Sequence, residues 1–373
     1  MSCRLLYLIG QLGAGGSERQ LFYLLKAMNR ERYAPAVAVW NLSEFDSYLS
    51  QIRALDIPLF ALANGCSKLK KLQTLRRLVK EAKAEVVHSY TSFTNFAAWC
   101  TTVGTKAVPV GSVRSDFISA RKDNGLLLGR LSYRWPRSQV FNNLAAANAA
   151  GSSRSIFVPR QRFVVRNGLD LELFRFTSPS ASTKARIVGI GSLLPAKRWD
   201  RLLVAARELK SKGLDFSMRL VGDGPLRASL QQQVCDLRLN DRVELTGHAV
   251  DVATLLSDAT FLVHTSDSEG LPNAVMEAMA CGRAVVATSV GDVPTVVEAG
   301  LTGFLVARGD DACLVERMAT LIIDRNLCQR MGEAGRAKAE REFGLDRLVT
   351  ETLAAYRAAG WKGMTIPRTP LLF

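Results

Sequence analysis

The fold is decided by residues 261–287, which read FLVHTSDSEGLPNAVMEAMACGRAVVA. The first and last four residues, Phe261–His264 and Ala284–Ala287, are apolar runs of the length and composition that predict buried strands. A polar loop follows the first run, and Ala274–Ala280 then predicts a helix. Pro272 suits its first turn and Gly282 its end. A strand–loop–helix–strand unit of this kind is a parallel crossover.

Two glutamates mark this crossover as a candidate site. Glu269 lies in the loop and Glu277 lies eight residues further on, in the predicted helix. Both therefore follow the carboxyl end of a parallel strand, where open α/β sheets bind their ligands. Two acids at a fixed spacing also occur by chance on solvated helices, so the spacing alone leaves an ordinary α/β core with two surface acids open.

Length and composition favour two globular domains. The chain has 373 residues, 48% of them hydrophobic, which is enough for two cores. No apolar run approaches the ~18 residues of a membrane-spanning helix. The run Leu5–Ile9 is too short for a signal peptide and predicts a first strand instead. Seven scattered cysteines without a C-x-x-C pair indicate reduced thiols, so we expect a cytoplasmic protein without a zinc site.

The formal net charge of +15 indicates a polyanionic partner. Nucleic acid, an anionic membrane surface and phosphorylated substrates all attract excess lysine and arginine. The chain carries no helix-turn-helix, zinc-finger or RNA-binding signature, so nucleic acid is not expected. The segment Lys68–Lys83 predicts an amphipathic helix with seven cations beside a leucine stripe. A solvated helix packed on a sheet explains this pattern, and so does a helix that binds an anionic membrane surface.

The central stretch resembles the E-x7-E signature of the family 4 retaining glycosyltransferases, also called glycosyl transferases group 1. The resemblance rests on forty residues in register, within which the matching segments are 269–273, 276–280, 291–294 and 303–306. It implies the GT-B fold: two Rossmann-like, doubly wound parallel-sheet domains of the α/β class that face a cleft. We expect an N-terminal acceptor domain at 1–176 and a nucleotide-sugar domain at 177–344. A C-terminal helix within 345–373 should return to the first domain.

The resemblance also assigns residues to the donor. In the second half, Lys197 matches the lysine of the family's Gly-Arg-x-x-x-x-Lys-Gly segment, whereas Ser192 replaces the usual arginine and Arg198 stands where glycine is commoner. Lys197 and Glu269 are the implied catalytic residues, facing the diphosphate and the sugar. The implied donor-binding residues are Gly15, Gly16, Arg198, Gly247, His248, Gly270, Leu271, Pro272, Asn273 and Glu277.

Two residues of the first half are candidates for the acceptor side. His88 closes a predicted strand, where a lone histidine is more often structural than catalytic. Arg114 lies near the point at which many family members carry a histidine, which leaves the acceptor-activating residue open.

The implied function is transfer of a sugar, with retention, from a nucleotide-sugar donor to a lipid-linked or oligosaccharide acceptor. We expect UDP rather than GDP or ADP as the nucleotide because UDP-linked donors are the most frequent. We also expect a peripheral protein at the inner face of the cell membrane. No Asp-x-Asp pair is present, so we expect no metal and no other cofactor. A GT-B-fold sugar-nucleotide epimerase and a non-catalytic sugar-nucleotide binder remain as alternatives.

Overall fold

The computed structural model describes residues 2–114, 129–178, 184–247 and 251–363. The chain divides into two compact units, residues 1–168 with 345–373, and residues 169–344. Each unit contains one parallel sheet connected by helices, which confirms the predicted α/β class.

The sheet of the first unit has seven strands in the order β3-β2-β1-β4-β5-β6-β7. The order reverses between β1 and β4, which makes this pair the topological switch point. The strands are β1 (Cys3–Ile9), β2 (Tyr33–Val39), β3 (Leu59–Ala61), β4 (Val86–Ser89), β5 (Val108–Val113), β6 (Ser138–Phe141) and β7 (Gln161–Val164).

The sheet of the second unit has six strands in the order β10-β9-β8-β11-β12-β13. Here the switch point lies between β8 and β11, which pair in parallel through Phe261 with Ile187 and Leu262 with Val188. The strands are β8 (Ala185–Ile190), β9 (Phe216–Val221), β10 (Val243–Gly247), β11 (Phe261–His264), β12 (Ala284–Thr288) and β13 (Gly303–Val306).

Helices connect these strands, as parallel pairing requires. Those of the first unit are α1 (Gly16–Ala27), α2 (Leu49–Arg53), α3 (Lys68–Glu81), α4 (Asn95–Thr102), α5 (Arg130–Arg134), α6 (Leu144–Ser152) and the terminal α14 (Leu345–Ala358). Those of the second unit are α7 (Trp199–Ser211), α8 (Arg227–Asp236), α9 (Val252–Asp258), α10 (Asn273–Ala280), α11 (Val293–Val296), α12 (Asp311–Ile323) and α13 (Arg325–Glu342).

The strands of the central stretch are buried on both faces of the second sheet. Phe261 and Val263 pack into the cluster that contains Trp199, whereas Leu262 packs into the opposite cluster with Met276. A strand covered on both sides must be apolar at successive positions, which explains the uninterrupted runs in the sequence. Each fully buried large apolar side chain stabilises the unit by about 1.5–3 kcal/mol.

The predicted strand–loop–helix–strand unit is confirmed almost residue by residue. β11 has the predicted bounds, β12 is one residue longer, and α10 begins one residue earlier, at Asn273. Gly282 follows the helix with a φ of +76°, a backbone conformation that favours glycine. The helix therefore ends where the sequence indicated.

The boundary between the units lies at Gly168 and Leu169, before the expected boundary at residue 176. The physical reason is that Leu169 and Phe174 are already buried in the core of the second unit. The Leu169 amide donates to the carbonyl of Phe343 at 2.7 Å, and Arg336 donates to the carbonyl of Phe174 at 2.8 Å. Residues 179–183, just after the expected boundary, lie outside the described residues.

Helix α3 keeps the predicted amphipathic character, but two of the seven cations of the segment Lys68–Lys83 point inward. The Lys71 residue is only 5% exposed, and its ammonium donates to the carbonyl of Trp40 and to Asn41 Oδ1. The Arg76 guanidinium donates to the carbonyl of Val103 at 2.9 Å. Leu69, predicted in the packed stripe, is instead 66% exposed. The remaining cations are exposed: Lys68, Lys70, Arg77, Lys80 and Lys83.

The terminal helix α14 belongs to the first unit. Its Leu348, Leu353 and Tyr356 are buried in the same cluster as Leu21 and Leu24 of α1. The buried hydroxyl of Tyr356 lies 2.7 Å from Nδ1 of His88 in β4. The helix is thus an integral layer of the first unit although 176 residues of the second unit precede it in the chain.

Candidate active site

Two loops meet at the switch point of the second sheet, one after β8 and one after β11. The Asp267 amide donates to the carbonyl of Ala196 at 2.8 Å. The Thr265 hydroxyl donates to the carbonyl of Lys197 at 2.9 Å. Because β8 and β11 are neighbours, residues far apart in the chain are fixed side by side at the carboxyl ends of these strands.

Lys197 and Glu269 form an ion pair across these loops, through Lys197 Nζ and Glu269 Oε1. The same carboxylate oxygen lies 3.0 Å from Nε2 of His264 and accepts a hydrogen bond of 2.7 Å from the Ser266 hydroxyl. The Lys197 side chain is 23% exposed and the Glu269 side chain 10% exposed, so the pair is shielded but reachable. The structure therefore brings together the two residues predicted to be catalytic.

Glu269 is ionised in this setting. Burial raises the pKa of its carboxyl, but the hydrogen bond from His264 and the positive charge of Lys197 outweigh burial and lower the pKa to about 2. At neutral pH the group is a carboxylate, which can only accept hydrogen bonds. It is thus suited to hold hydroxyl groups of a ligand and unsuited to donate a proton as a general acid.

Asp267, in the loop after β11, pairs with three arginines from other segments of the second unit. Its carboxylate lies 2.9 Å from Arg198, 2.7 Å from Arg201 and 3.2 Å from Arg308. Arg198 also pairs with Asp200 at 2.9 Å. Its guanidinium is therefore held by two carboxylates of the protein itself, and the predicted donor contact of Arg198 remains a prediction that this geometry does not support.

The backbone of Gly291 packs closely against the loop that carries Glu269. It adopts a φ of +53°, and a Cβ there would lie 2.0 Å from the carbonyl oxygen of Glu269. The next amide, that of Asp292, donates to the carbonyl of Gly270 at 3.1 Å. The Gly-Asp-Val-Pro segment after β12 thus supports the loop that carries Glu269, and it does so by a close approach of backbone to backbone.

Glu277 lies in the buried part of α10, with 2% of the residue exposed. The helix begins at Asn273, after Gly270, Leu271 and Pro272. Backbone N–H groups at such a helix start attract anions. The predicted donor contacts of Glu277 and of these residues remain predictions.

Of the two predicted donor-binding residues Gly247 and His248, the structure describes the first. Gly247 ends β10 with a φ of +77°, and its carbonyl accepts from the Gly222 amide at 2.8 Å. The Arg227 guanidinium lies beside it, so that a Cβ on Gly247 would be 3.4 Å from Arg227 Nη1. His248 lies outside the described residues.

In the first unit, the loop with the predicted donor-binding residues Gly15 and Gly16 leads into α1. Gly15 is the residue before the helix and Gly16 its first residue. The Glu18 carboxylate folds back over Gly15, where a Cβ would lie 2.1 Å from Glu18 Oε2. Burial raises the pKa of the Glu18 carboxyl. Gly15 and Gly16 lie at a helix start, and their contact with a donor remains a prediction.

His88 is 1% exposed, and the protein itself occupies both of its ring nitrogens. Nδ1 lies 2.7 Å from the Tyr356 hydroxyl and Nε2 lies 2.9 Å from the Ser112 hydroxyl. Burial lowers the pKa of His88, and the charge of Arg114 lowers it further. This placement is that of a structural histidine, so the geometry does not support the predicted catalytic role.

Arg114 ends a described segment, and its guanidinium lies 3.9 Å from the centre of the Tyr90 ring. Its predicted role towards an acceptor stays a prediction. Within the described ranges, no three His, Cys, Asp or Glu side chains are grouped so that they could hold a metal ion.

Sequence reasoning missed three residues of the second-unit site: His264, Ser266 and Asp267. Their signal was the concentration of polar side chains directly after a buried strand. The strand was predicted correctly, but a strand pattern does not tell which partner the last side chain meets.

We predict that Gly291→Ala destabilises the protein more than Gly300→Ala. Both glycines have positive φ, +53° and +81°, but no atom lies within 4 Å of a Cβ at Gly300. The control should lose only the backbone cost of about 1–2 kcal/mol, whereas Gly291→Ala also displaces the Glu269 loop. Urea unfolding curves of the two variants measure the difference, and equal midpoints would contradict the role given to Gly291.

Comparison with known proteins relates the second unit to a family. The sequence model of the family described as "Glycosyl transferases group 1" matches residues 170–338. The putative colanic acid biosynthesis glycosyltransferase WcaL of Escherichia coli K12 is 31% identical over 217 residues, 55% of this chain and 53% of that protein. Several curated relatives with identities of 30–31% are covered over only about half of their length (44–53%).

Longer matches have lower identity. The Campylobacter jejuni protein named GalNAc-alpha-(1->4)-GalNAc-alpha-(1->3)-diNAcBac-PP-undecaprenol alpha-1,4-N-acetyl-D-galactosaminyltransferase is 24% identical over 93% of this chain and 96% of its own. The crystal structure of Anabaena Alr3699/HepE in complex with UDP-glucose superimposes with a TM-score of 0.79 at 20% identity, covering 95% of this chain and 99% of that one. At this identity the likeness shows the fold. Residues 170–338 of the second unit thus match the glycosyl transferases group 1 family, and the chain as a whole has the GT-B fold.

Proposed function

We propose that this protein is a retaining glycosyltransferase that moves a sugar from a UDP-linked donor to a lipid-linked or saccharide acceptor in polysaccharide or glycolipid biosynthesis. The observation that carries the proposal is the Lys197–Glu269 pair at the switch point of the second sheet. The names of the relatives support the substrate classes: the Campylobacter protein is named for an acceptor linked to undecaprenol, and HepE was crystallised with UDP-glucose.

Each member of the pair has a chemical task in this reaction. The anomeric C–O bond breaks with its electron pair moving to the diphosphate oxygen, so negative charge grows on the leaving group. The Lys197 ammonium offsets that charge from a fixed position, which is electrostatic preorganisation. The acceptor oxygen bonds to the anomeric carbon on the same face, and its proton passes to the leaving phosphate. The Glu269 carboxylate accepts hydrogen bonds from hydroxyls of the transferred sugar.

The direct test is incubation of the protein with labelled nucleotide sugars and a bacterial lipid extract. We expect label in the lipid or saccharide fraction, and Lys197→Ala should lower the turnover by ~10²-fold or more. Lys212→Ala is the matched control, because Lys212 is exposed at the end of α7 and should leave turnover unchanged. An isomerised nucleotide sugar would indicate an epimerase, and no reaction with any donor would leave a binding protein. Wild-type turnover in Lys197→Ala would contradict the assigned role.

We also propose that transfer needs no metal ion. The ammonium of Lys197 and the amides at the start of α10 offer positive potential to a diphosphate, which is the task that a divalent cation performs in other transferases. Activity should therefore persist in excess EDTA. A strict requirement that only added Mg²⁺ or Mn²⁺ restores would refute this.

The acceptor class leads to a proposal about location: the protein works at an anionic membrane surface through α3. No helix in the described part of the chain has both the length and the apolarity to cross a bilayer. Helix α3 carries four exposed cations and the exposed Leu69, and the exposed Lys83 lies just beyond its end. A cation close to an anionic leaflet contributes about 1 kcal/mol, so several together suffice for reversible binding.

We predict that charge reversal of Lys70, Arg77 and Lys80 to Glu abolishes co-sedimentation with vesicles that contain phosphatidylglycerol. Wild-type binding should fade with salt, because the Debye length falls from ~10 Å at 0.1 M to ~3 Å at 1 M. The matched control reverses Lys212, Arg238 and Arg330, three exposed cations of the second unit. Equal loss in both triple variants would mean that only net charge matters, and binding to pure phosphatidylcholine would point to an uncharged mode.

A further inference from the structure

Three donors converge on one oxygen of Glu269. Oε1 receives the ammonium of Lys197, Nε2 of His264 at 3.0 Å and the Ser266 hydroxyl at 2.7 Å. Within the described ranges 2–114, 129–178, 184–247 and 251–363, Oε2 of Glu269 accepts no hydrogen bond from another residue. The carboxylate is thus gripped by one oxygen while the other keeps its capacity to accept from a ligand.

The chemistry of this contact fixes the tautomer of His264. The carboxylate can only accept, and the Ser266 hydroxyl, whose oxygen lies 3.2 Å from Nε2, donates its proton to the same carboxylate, so the proton must lie on Nε2. In the neutral ring Nδ1 is then an acceptor. Nδ1 is buried, and within the described ranges it has no hydrogen-bond partner. A buried N–H without an acceptor is a rare and costly arrangement. The surroundings therefore favour a proton on Nε2, towards Glu269, over a proton on Nδ1 alone.

His264 is also the most firmly placed of the three donors. It is the last residue of β11, 2% exposed, and its carbonyl accepts from the Thr288 hydroxyl of β12 at 3.3 Å. Ser266 lies in the loop, and the ammonium of Lys197 lies at the end of a flexible side chain. A planar ring on a central strand gives the loop carboxylate a rigid reference, which is how precise sites are built.

We propose that His264 is a positioning residue: its Nε2–H holds Oε1 of Glu269 and thereby turns Oε2 towards the transferred sugar of the donor. The proposal rests on the proposed glycosyltransferase function. His264 lies outside the recognised motif. According to the proposal it nevertheless controls the orientation of Glu269, the first glutamate of that motif.

A double-mutant cycle tests this dependence. His264→Leu removes the donor while filling the space, and it should lower kcat ~10- to 100-fold, as misplacement of a reacting group does. His264→Gln keeps an N–H donor at similar reach and should retain most of kcat. The UDP dissociation constant should change less than twofold in both variants. In the Glu269→Ala background, His264→Leu should cost little more, because the group that His264 positions is gone.

Two kinetic outcomes would overturn the proposal. One is full activity of His264→Leu. The other is an equal fractional loss of activity with and without Glu269, which would mean that His264 supports the fold rather than the carboxylate.

A spectroscopic readout needs neither donor nor acceptor, and so separates failure of this proposal from failure of the proposed function. The chain has three histidines, so their imidazole ¹H–¹⁵N signals can be assigned from single variants. At about pH 8, where an imidazole is ordinarily neutral, His264 should carry its proton on Nε2. Glu269→Gln should shift that signal and leave the His88 signals in place. A proton on Nδ1, or no response to Glu269→Gln, would refute the contact even if sugar transfer is found.

Discussion

The second unit depends on keeping a carboxylate ionised where water reaches only a tenth of its side chain. Burying an unpaired carboxylate costs several kcal/mol, so Glu269 needs positive charge and hydrogen bonds close by. Lys197 and His264 provide both and bring its pKa to about 2. Because Lys197 and Glu269 come from different loops, their ion pair exists only when both loops are in place. The ion pair is therefore a consequence of the folded sheet as well as a feature of the site.

Holding the loops in place makes demands on residues that never touch a substrate in this scheme. The Asp267 carboxylate gathers three arginines and fixes the loop after β11 to the segment that carries Lys197. Gly291 allows the loop after β12 to approach the backbone of Glu269 more closely than a residue with a Cβ would permit. These residues explain why the resemblance to the family extends beyond the two glutamates to a glycine loop about twenty residues further on.

The chain order of the strands explains why the site lies where it does. Lys197 and Glu269 are 72 residues apart in the chain, yet β8 and β11, which precede them, are adjacent strands. In a parallel sheet all carboxyl ends lie at one edge, and at the switch point the connecting helices diverge to opposite faces and leave a crevice. The first sheet has the same kind of switch point between β1 and β4. The loop with Gly15 and Gly16 follows β1, and His88 lies in β4. There the histidine is used for packing against the terminal helix.

The sequence by itself determined the strands and helix of residues 261–287, the α/β class and the identity of Lys197 and Glu269 as partners in one site. These features follow from local periodicity, from caps such as Gly282 and from a family motif, all of which are contained in short segments. Only the tertiary structure decided that Arg198 is held by Asp200 and Asp267, that Lys71 and Arg76 face inward on α3, and that His264 grips Glu269. The direction of a polar side chain at the end of a strand or on a helix depends on which neighbour the fold places beside it, and no local pattern contains that neighbour.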